Sequence, residues 1–391
     1  MKRFFSYTIL SFFLLLLPTG QASANNNDSI RLSLLTCAPG EEIYSLFGHT
    51  AIRYENSSQG IDVVFNYGLF SFNTPNFIFR FSLGETDYQL GATDYERFAA
   101  EYAFFGRSVW QQTLNLTDEE KTELIRLLQE NYRPENRVYR YNFFYDNCAT
   151  RPRDKIEESI AGKVIYPAEP QDGSLTFRDI VHQYCKGHPW ARFGIDLCIG
   201  SEADQPITQR QMMFAPFYLM DAFDGAQIKG DSIQRPLITA NELVVDATPE
   251  PDESDWMPTP LQCSLLLFIL TAAATIYGIR RRTGLWGIDL FLFGIAGIVG
   301  CVLAFLALFS QHPAVSSNFL LLVFHPGQLL FLPYIIYCVR KGKKCWYLTL
   351  NLAVLTLFIV LFPVIPQRFD FAVVPLALCL LIRSVSNLIV T

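Results

Sequence analysis

The chain shows two hydrophobic patterns, one mixed and one almost continuous. From residue 261 onward, apolar runs that approach the ~20 residues needed to cross a hydrocarbon core are separated only by short polar loops. The sequence therefore predicts an all-α domain over 261–391 with five membrane-spanning helices, at 261–279, 286–309, 318–339, 345–364 and 371–390.

The first 24 residues have the organisation of a signal peptide. Lys2 and Arg3 precede an apolar run from Tyr7 to Pro18, and Ala22-Ser23-Ala24 then forms a small-x-small cleavage site. The alternative is an uncleaved anchor helix, although the apolar run is short for a span.

Basic residues predict the orientation of the apolar domain. Arg280–Arg282 separate its first two apolar stretches, and Arg340–Lys344 separate the third and fourth. By the positive-inside rule both loops are cytoplasmic. The loops 311–317 and 365–370 then lie outside, together with the soluble part of the chain. The signal peptide independently predicts the same topology.

Residues 25–243 show the shorter periodicities of a soluble domain. Two β-rich runs, His49–Tyr54 and Asp62–Tyr67, flank a polar turn and predict a β-hairpin. Thr117 and Glu120 have capping-box spacing and predict the start of a helix. Strands precede helices, which favours an α+β class. The acidic, Pro-rich segment 244–260 is typical of a linker.

Charge is divided between the two parts of the chain. Residues 25–260 carry 35 acidic and 20 basic side chains, whereas residues 261–391 carry two acidic and nine basic side chains. An acidic soluble domain repels phosphate backbones, which argues against nucleic acid as a partner.

Cys148 and His49 are the candidates for nucleophilic chemistry. Cys148 lies between a predicted strand over 137–144 and a predicted helix over 152–160. A helix N-terminus favours thiolate, and a nearby imidazole would complete a Cys–His pair. The alternative is that His49 ends a strand and that Cys148 is an ordinary buried thiol.

The hairpin offers a third polar residue for the site. If Tyr54 pairs with Ile61, His49 lies opposite Asn66, which could orient the imidazole as in Cys–His–Asn sites. Asp62 lies on the same face by parity and is the substitute candidate.

Several motifs in fixed order resemble one family. They are CAPGEEIYSLFGHTAIRY (37–54), FNYGLFSF (65–72), YDNCATR (145–151), TFRDI (176–180), PWARFGIDLCIGSEAD (189–204) and MMFAPFYLMDAF (212–223). Together with the signal peptide and the apolar domain, they resemble the Lnb-type bacterial lipoprotein N-acyltransferases. The order His–polar–Cys is also similar to the lecithin:retinol acyltransferase-like branch of the NlpC/P60 proteins, although this chain has Asn66 or Asp62 where that branch often has a second His.

The resemblance implies a fold, a reaction and partners. The soluble domain is expected to be a permuted papain-like α+β domain in the periplasm, anchored in the bacterial inner membrane by a multi-pass domain. A phospholipid would donate an acyl chain through a Cys thioester to the amine of a diacylated lipoprotein, without a cofactor. The alternatives are an NlpC/P60-like cell-wall amidase or peptidase, and a non-catalytic module that binds lipoproteins.

Four further residues are candidates for substrate binding. Arg151 could hold a lipid phosphate or pair with Asp154 on the same helix. Tyr44 and Tyr67 flank the site motifs and could donate to an oxyanion, and His312 could contact head groups from an outer loop. His325, in the third predicted span, is either functional or a helix–helix contact.

Two soluble-domain cysteines remain besides Cys37 and Cys148. Cys185 and Cys198 close a short loop, which predicts a disulfide in an oxidising compartment. The weaker alternative is a metal site in which these two cysteines join His182 and His188.

Overall fold

The computed structural model describes residues 29–70, 75–168, 175–230, 234–247 and 257–390. The predicted signal peptide and most of the linker lie outside these residues. The soluble part is built on a seven-stranded antiparallel sheet of order β10-β5-β1-β2-β3-β4-β6, with a smaller sheet of order β7-β8-β9. The strands are β1 Ile30–Cys37, β2 His49–Asn56, β3 Ile61–Leu69, β4 Asp87–Asp94, β5 Val109–Leu114, β6 Val138–Arg140, β7 Lys163–Ile165, β8 Gln227–Lys229, β9 Gln234–Pro236 and β10 Ile238–Val245.

The predicted hairpin is confirmed, with a register two residues away from the assumed one. Asn56 pairs with Ile61 and Ala51 with Asn66, so Tyr54 pairs with Val63 and not with Ile61. A shift of two residues preserves the face on which each side chain lies. His49 and Asn66 are therefore diagonal neighbours on one face of the sheet.

Helices cover both faces of the large sheet. The helix predicted at Thr117 is confirmed as α3, and Thr117 and Glu120 form the complete capping box. The predicted strand over 137–144 is only three residues long, and the helix after Cys148 begins two residues earlier than predicted. The helices of the soluble part are α1 Phe77–Leu83, α2 Tyr95–Phe104, α3 Asp118–Tyr132, α4 Thr150–Ser159, α5 Phe177–Tyr184, α6 Pro189–Cys198, α7 Gln209–Met212 and α8 Pro216–Asp224. The combination of antiparallel sheets with helices agrees with the α+β prediction.

The apolar domain forms a helical unit whose third and fourth segments differ from simple spans. Three helices are long and apolar enough to cross a membrane, and another is apolar but has only 16 residues. The remaining predicted span, 318–339, is broken into pieces that bend by 72°. The helices are α9 Pro260–Arg281, α10 Trp286–Phe309, α11 Pro326–Leu330, α12 Leu332–Lys341, α13 Trp346–Leu361 and α14 Val373–Val390.

Proline explains the break in the third segment. Pro326 stands at the first position of α11 and Pro333 in the first turn of α12. Proline lacks an N–H group and clashes with the preceding turn, so a helix tends to restart at it rather than continue through it. The prediction of one continuous helix over 318–339 is therefore wrong.

The ends of the helical unit agree with the predicted orientation. Arg340 lies 5.4 Å above the ring of Trp286, so the two basic loops meet at one end. At the other end the backbone N–H of Gly200 donates to Ala314, and Arg368 pairs with Asp179 of the soluble domain. The soluble domain thus contacts the loops that the charge pattern places outside.

Candidate active site

His49 is the first residue of β2, and its ring is held by β3. Its Nε2 lies 2.6 Å from Oδ1 of Asn66. An amide oxygen only accepts hydrogen bonds, so Nε2 donates and Nδ1 retains its lone pair. Gly48 directly precedes the strand with φ +77°, and a Cβ there would lie 2.5 Å from the carbonyl oxygen of Cys37. Glycine at this position therefore allows the close turn that places His49.

Cys148 lies in a tight turn immediately before α4. The buried side chain of Asn147 organises this turn: its Oδ1 accepts from the N–H groups of Ala149 and Thr150, at 2.8 and 3.0 Å. Its Nδ2 donates to the carbonyl oxygens of Phe143 and Phe214. Asn147 thus uses both its amide oxygen and its amide nitrogen to hold the loop that carries Cys148. Sequence reasoning quoted Asn147 only as part of a motif and missed this role.

Gly68 lies close to both Cys148 and His49. It lies in an irregular part of β3 between Asn66 and Leu69, with φ +96°. A Cβ built on Gly68 would lie 3.6 Å from Cβ of Cys148 and 3.8 Å from Cε1 of His49. Cys148 and His49 therefore both border the space beside Gly68. Sequence reasoning did not single out Gly68.

Burial determines the protonation of both groups. It lowers the pKa of His49 to about 4, against the opposing effect of the hydrogen bond that His49 donates to Asn66, and the charge of Arg107 lowers the pKa further. Burial also raises the pKa of Cys148 to about 11, although backbone N–H groups of Thr50 and Cys148 stabilise the thiolate. Burial thus opposes the expected thiolate, and its effect on the pKa of Cys148 is larger than that of these N–H groups. At neutral pH the pair is a thiol beside a neutral imidazole.

The structure separates the two candidates for the third polar residue. Asp62 lies on the same face as His49, but its carboxylate makes two hydrogen bonds with Arg53, at 2.8 and 2.7 Å. Asn66 is the residue that contacts the imidazole. Tyr67 points to the opposite face, where its buried hydroxyl donates to Asn131 at 2.8 Å. Tyr67 is therefore a core residue and not an oxyanion donor.

Arg151 does not form the ion pair considered for it. Its guanidinium makes two hydrogen bonds with Asp146, at 2.6 and 2.8 Å, and lies over the ring of Tyr139. Asp154 instead pairs with Arg153 and Arg210. One edge of the Arg151 guanidinium is thus already occupied, which weakens the phosphate hypothesis.

The two remaining substrate candidates lie farther out. Tyr44 is exposed, and its ring makes an edge-to-face contact with that of Phe70, with centroids 6.2 Å apart. His312 donates from Nε2 to the carbonyl oxygen of Phe81, and burial lowers its pKa. His312 therefore connects the outer end of the helical unit to the soluble domain.

Cys185 and Cys198 are both free thiols, so the predicted disulfide is not formed. Asp196, near the end of α6, pairs with Arg178 and His182 of α5. These pairs indicate that the two helices pack antiparallel. Cys185 then lies beside the start of α6 and Cys198 in its last turn. A helix of this length rises by about 15 Å, more than a disulfide can bridge. Within the described residues there is also no metal-binding group of three or more His, Cys, Asp or Glu side chains.

His325 precedes the break in the third segment, where it is the N-cap residue of α11. The backbone there packs so closely against Gly300 of α10 that a Cβ on the glycine would lie 2.4 Å from the His325 nitrogen. Its ring lies 6.2 Å from that of Tyr347. These contacts agree with the helix–helix alternative.

Fold and site together define a class: a soluble α+β domain in which a partly buried Cys and His border one space, joined to a membrane-type helical domain. Family models for the Lnb N-terminal periplasmic domain and the Lnb transmembrane domain match residues 20–182 and 252–391. The chain belongs to the Lnb family. It is thus a membrane protein with a periplasmic N-terminal domain. Searches of curated proteins and of solved structures each returned no match.

Proposed function

We propose that this protein is a lipoprotein N-acyltransferase that moves an acyl chain from phospholipid to the amine of a diacylglyceryl-Cys lipoprotein. The proposal is carried by one observation: Gly68 leaves a space that both Cys148 and His49 border. A thiol and an imidazole that share such a space suit acyl transfer through a thioester.

The first half-reaction forms the thioester. Sγ of Cys148 attacks the carbonyl carbon of a phospholipid ester while Nδ1 of His49 takes the thiol proton. Because both groups are neutral at rest, proton transfer accompanies the attack rather than preceding it. Backbone N–H groups of Thr50 and Cys148, which interact with the sulfur, would be the donors to the oxyanion. The ester C–O bond then breaks, and the His49 imidazolium protonates the lysophospholipid alkoxide.

The second half-reaction uses the same residues. The free amine of the lipoprotein attacks the thioester carbonyl, and Nδ1 of His49 takes its proton. The C–S bond breaks, the thiolate regains the proton from His49, and the product is an amide. Asn66 keeps the imidazole oriented through both halves by accepting from Nε2.

The finer features of the fold belong to the same proposal. The order His49, Asn66, Cys148 and the packing of α4 against β2 suit a permuted papain-like domain. The bent segment and the 16-residue helix α13 would supply the third and fourth of five spans in the bacterial inner membrane. The soluble domain would then work at the periplasmic surface, where both lipid substrates are present.

The decisive test is to trap the acyl-enzyme. Full-length protein given phospholipid without an amine acceptor should gain the mass of one acyl chain, and neutral hydroxylamine should remove it. Cys148→Ala should gain nothing, whereas Cys198→Ala, which changes a thiol outside the site, should behave like wild type. Acylation that persists in Cys148→Ala would refute the mechanism.

A cellular measurement separates the rival functions. Mass spectrometry of lipoprotein N-termini should show loss of the N-acyl chain with His49→Ala or Cys148→Ala. Asn66→Ala should weaken the reaction, and Asp62→Ala should leave it nearly unchanged. Unaltered lipoproteins together with altered cell-wall peptides would favour an amidase, and no change in either would favour a binding module.

A further inference from the structure

Helix α1 is apolar, but its side chains are not buried in a hydrophobic core of the protein. Five of its seven residues are apolar, and no residue of the helix is buried. Ile78, Phe79 and Phe81 expose 80 %, 57 % and 46 % of their surface. A soluble domain rarely leaves such a contiguous apolar patch in water, so this surface requires a partner.

The position of α1 indicates what that partner is. The ring of Phe79 lies 5.9 Å from that of Phe305 in α10, and the backbone N–H of Gln311 donates to Leu83 at 2.9 Å. Phe305 lies four residues, about 6 Å, inside the outer end of α10. Phe79 therefore reaches the level of the apolar span.

The neighbouring surface of α10 is equally apolar. Leu308 and Phe309, in its last turn, expose 74 % and 63 % of their surface. Because α10 is long and apolar enough to span a bilayer, these side chains face lipid. The exposed face of α1 continues this lipid-facing surface.

We infer that α1 inserts into the outer leaflet beside α10 and forms the surface over which a lipid acyl chain reaches the site. An amphipathic segment with aromatic residues is suited to the bilayer interface. The role in acyl delivery rests on the proposed function, whereas the insertion itself does not.

A series of ring contacts runs from α1 to Phe70, close in sequence to Gly68. Phe77 of α1 stacks on Phe70 with centroids 6.0 Å apart and planes 18° apart, and Phe70 contacts the edge of Tyr44. Phe70 follows Gly68, which lies close to both Cys148 and His49, by two residues. An acyl chain lying along these rings would pass from the leaflet to the sulfur over apolar surface.

Photo-crosslinking tests the insertion independently of catalysis. p-Benzoylphenylalanine is placed at Ile78 in the full-length Cys148→Ala protein, reconstituted in vesicles of phosphatidylethanolamine and phosphatidylglycerol. Irradiation should add the mass of a phospholipid. The control position is Gln59, exposed in the β2–β3 turn. Equal phospholipid adducts at positions 78 and 59 would overturn the inference, whether or not the protein is an acyltransferase.

A second comparison tests delivery. Ile78→Asp, in the otherwise unaltered protein, should slow thioester formation from vesicle phospholipid about tenfold, since it removes an apolar contact of ~1.4 kcal/mol. Leu243→Asp makes the same type of change on β10, at the opposite edge of the sheet, and should have no such effect. If Leu243→Asp reacts normally and Ile78→Asp reacts equally fast, α1 does not deliver the lipid.

Discussion

Burial shifts the pKa values of Cys148 and His49 in opposite directions. It raises the pKa of the Cys148 thiol and lowers that of the His49 imidazole, so both remain uncharged at neutral pH. The site therefore resembles a general-base arrangement more than a preformed ion pair. A neutral pair also suits a site that must admit apolar chains, because buried charges are costly there.

The pH dependence of the reaction should report this arrangement. His49 must be unprotonated to act as base, and its pKa is lowered to about 4. The rate of thioester formation should therefore be nearly constant from pH 6 to 8 and fall only as the pH approaches 4. The measurement is a pH–rate profile with phospholipid alone, and a half-maximal rate near pH 6.5 would contradict the neutral-pair interpretation.

At the scale of elements, the irregularity of β3 is what opens the site. Its pairing with β4 is shifted between Asn66 and Leu69, and Gly68 at that point has a backbone conformation that other residues rarely adopt. The hairpin therefore carries two features of the site, namely the imidazole with its hydrogen-bond partner and the space beside it.

Replacing Gly68 by alanine should fill this space. The strain at φ +96° should cost about 1–2 kcal/mol, while the methyl group would stand between His49 and Cys148. The acylation rate of the Gly68→Ala protein should fall far more than a loss of stability of this size would explain. Gly60→Ala is the matched control, because Gly60 also has positive φ but nothing lies within 4 Å of its Cβ position. The acylation rate and the thermal unfolding temperature are measured for both variants. Equal acylation rates of the two variants would exclude the steric role of Gly68.

At the scale of the whole molecule, a buried ion pair joins the helices of the membrane domain. Arg383 of α14 makes two hydrogen bonds with Asp289 of α10, at 2.7 and 3.1 Å, and contacts Thr275 of α9. Both charged side chains are fully buried.

Replacing one residue of this ion pair should destabilise the protein more than replacing both. Arg383→Leu would leave the Asp289 carboxylate buried without its counter-charge, at a cost of about 3–5 kcal/mol. The double variant Arg383→Leu, Asp289→Leu should recover most of that loss. Thermal inactivation in detergent and protein abundance in membranes measure the effect; a double variant as unstable as the single one would contradict it.

The contact between the soluble and helical parts also belongs to this scale. Arg368, from the outer loop 365–370, donates to Asp204, Asp179 and Thr176. These hydrogen bonds hold the soluble domain against the outer end of the helical unit. The same arrangement brings α1 beside α10.

The sequence by itself determined the features that depend on local pattern. Apolar length and basic loops predicted the helical domain and its orientation, the capping box predicted where α3 begins, and strand parity predicted that His49 and Asn66 share a face. Residue type and motif order singled out Cys148. These features follow from periodicity, backbone hydrogen bonding and charge, which are all readable along a single chain.

Tertiary structure decided what depends on distant neighbours. Asn66 and not Asp62 contacts the imidazole because Arg53 binds the Asp62 carboxylate. Cys185 and Cys198 form no disulfide because the antiparallel packing of α5 and α6 keeps them apart. The protonation of Cys148 was misjudged because desolvation is set by packing from every side, whereas the helix N-terminus is visible locally. The burial of a side chain and the partner it pairs with depend on contacts between residues that are distant in sequence. A local sequence pattern therefore cannot predict them.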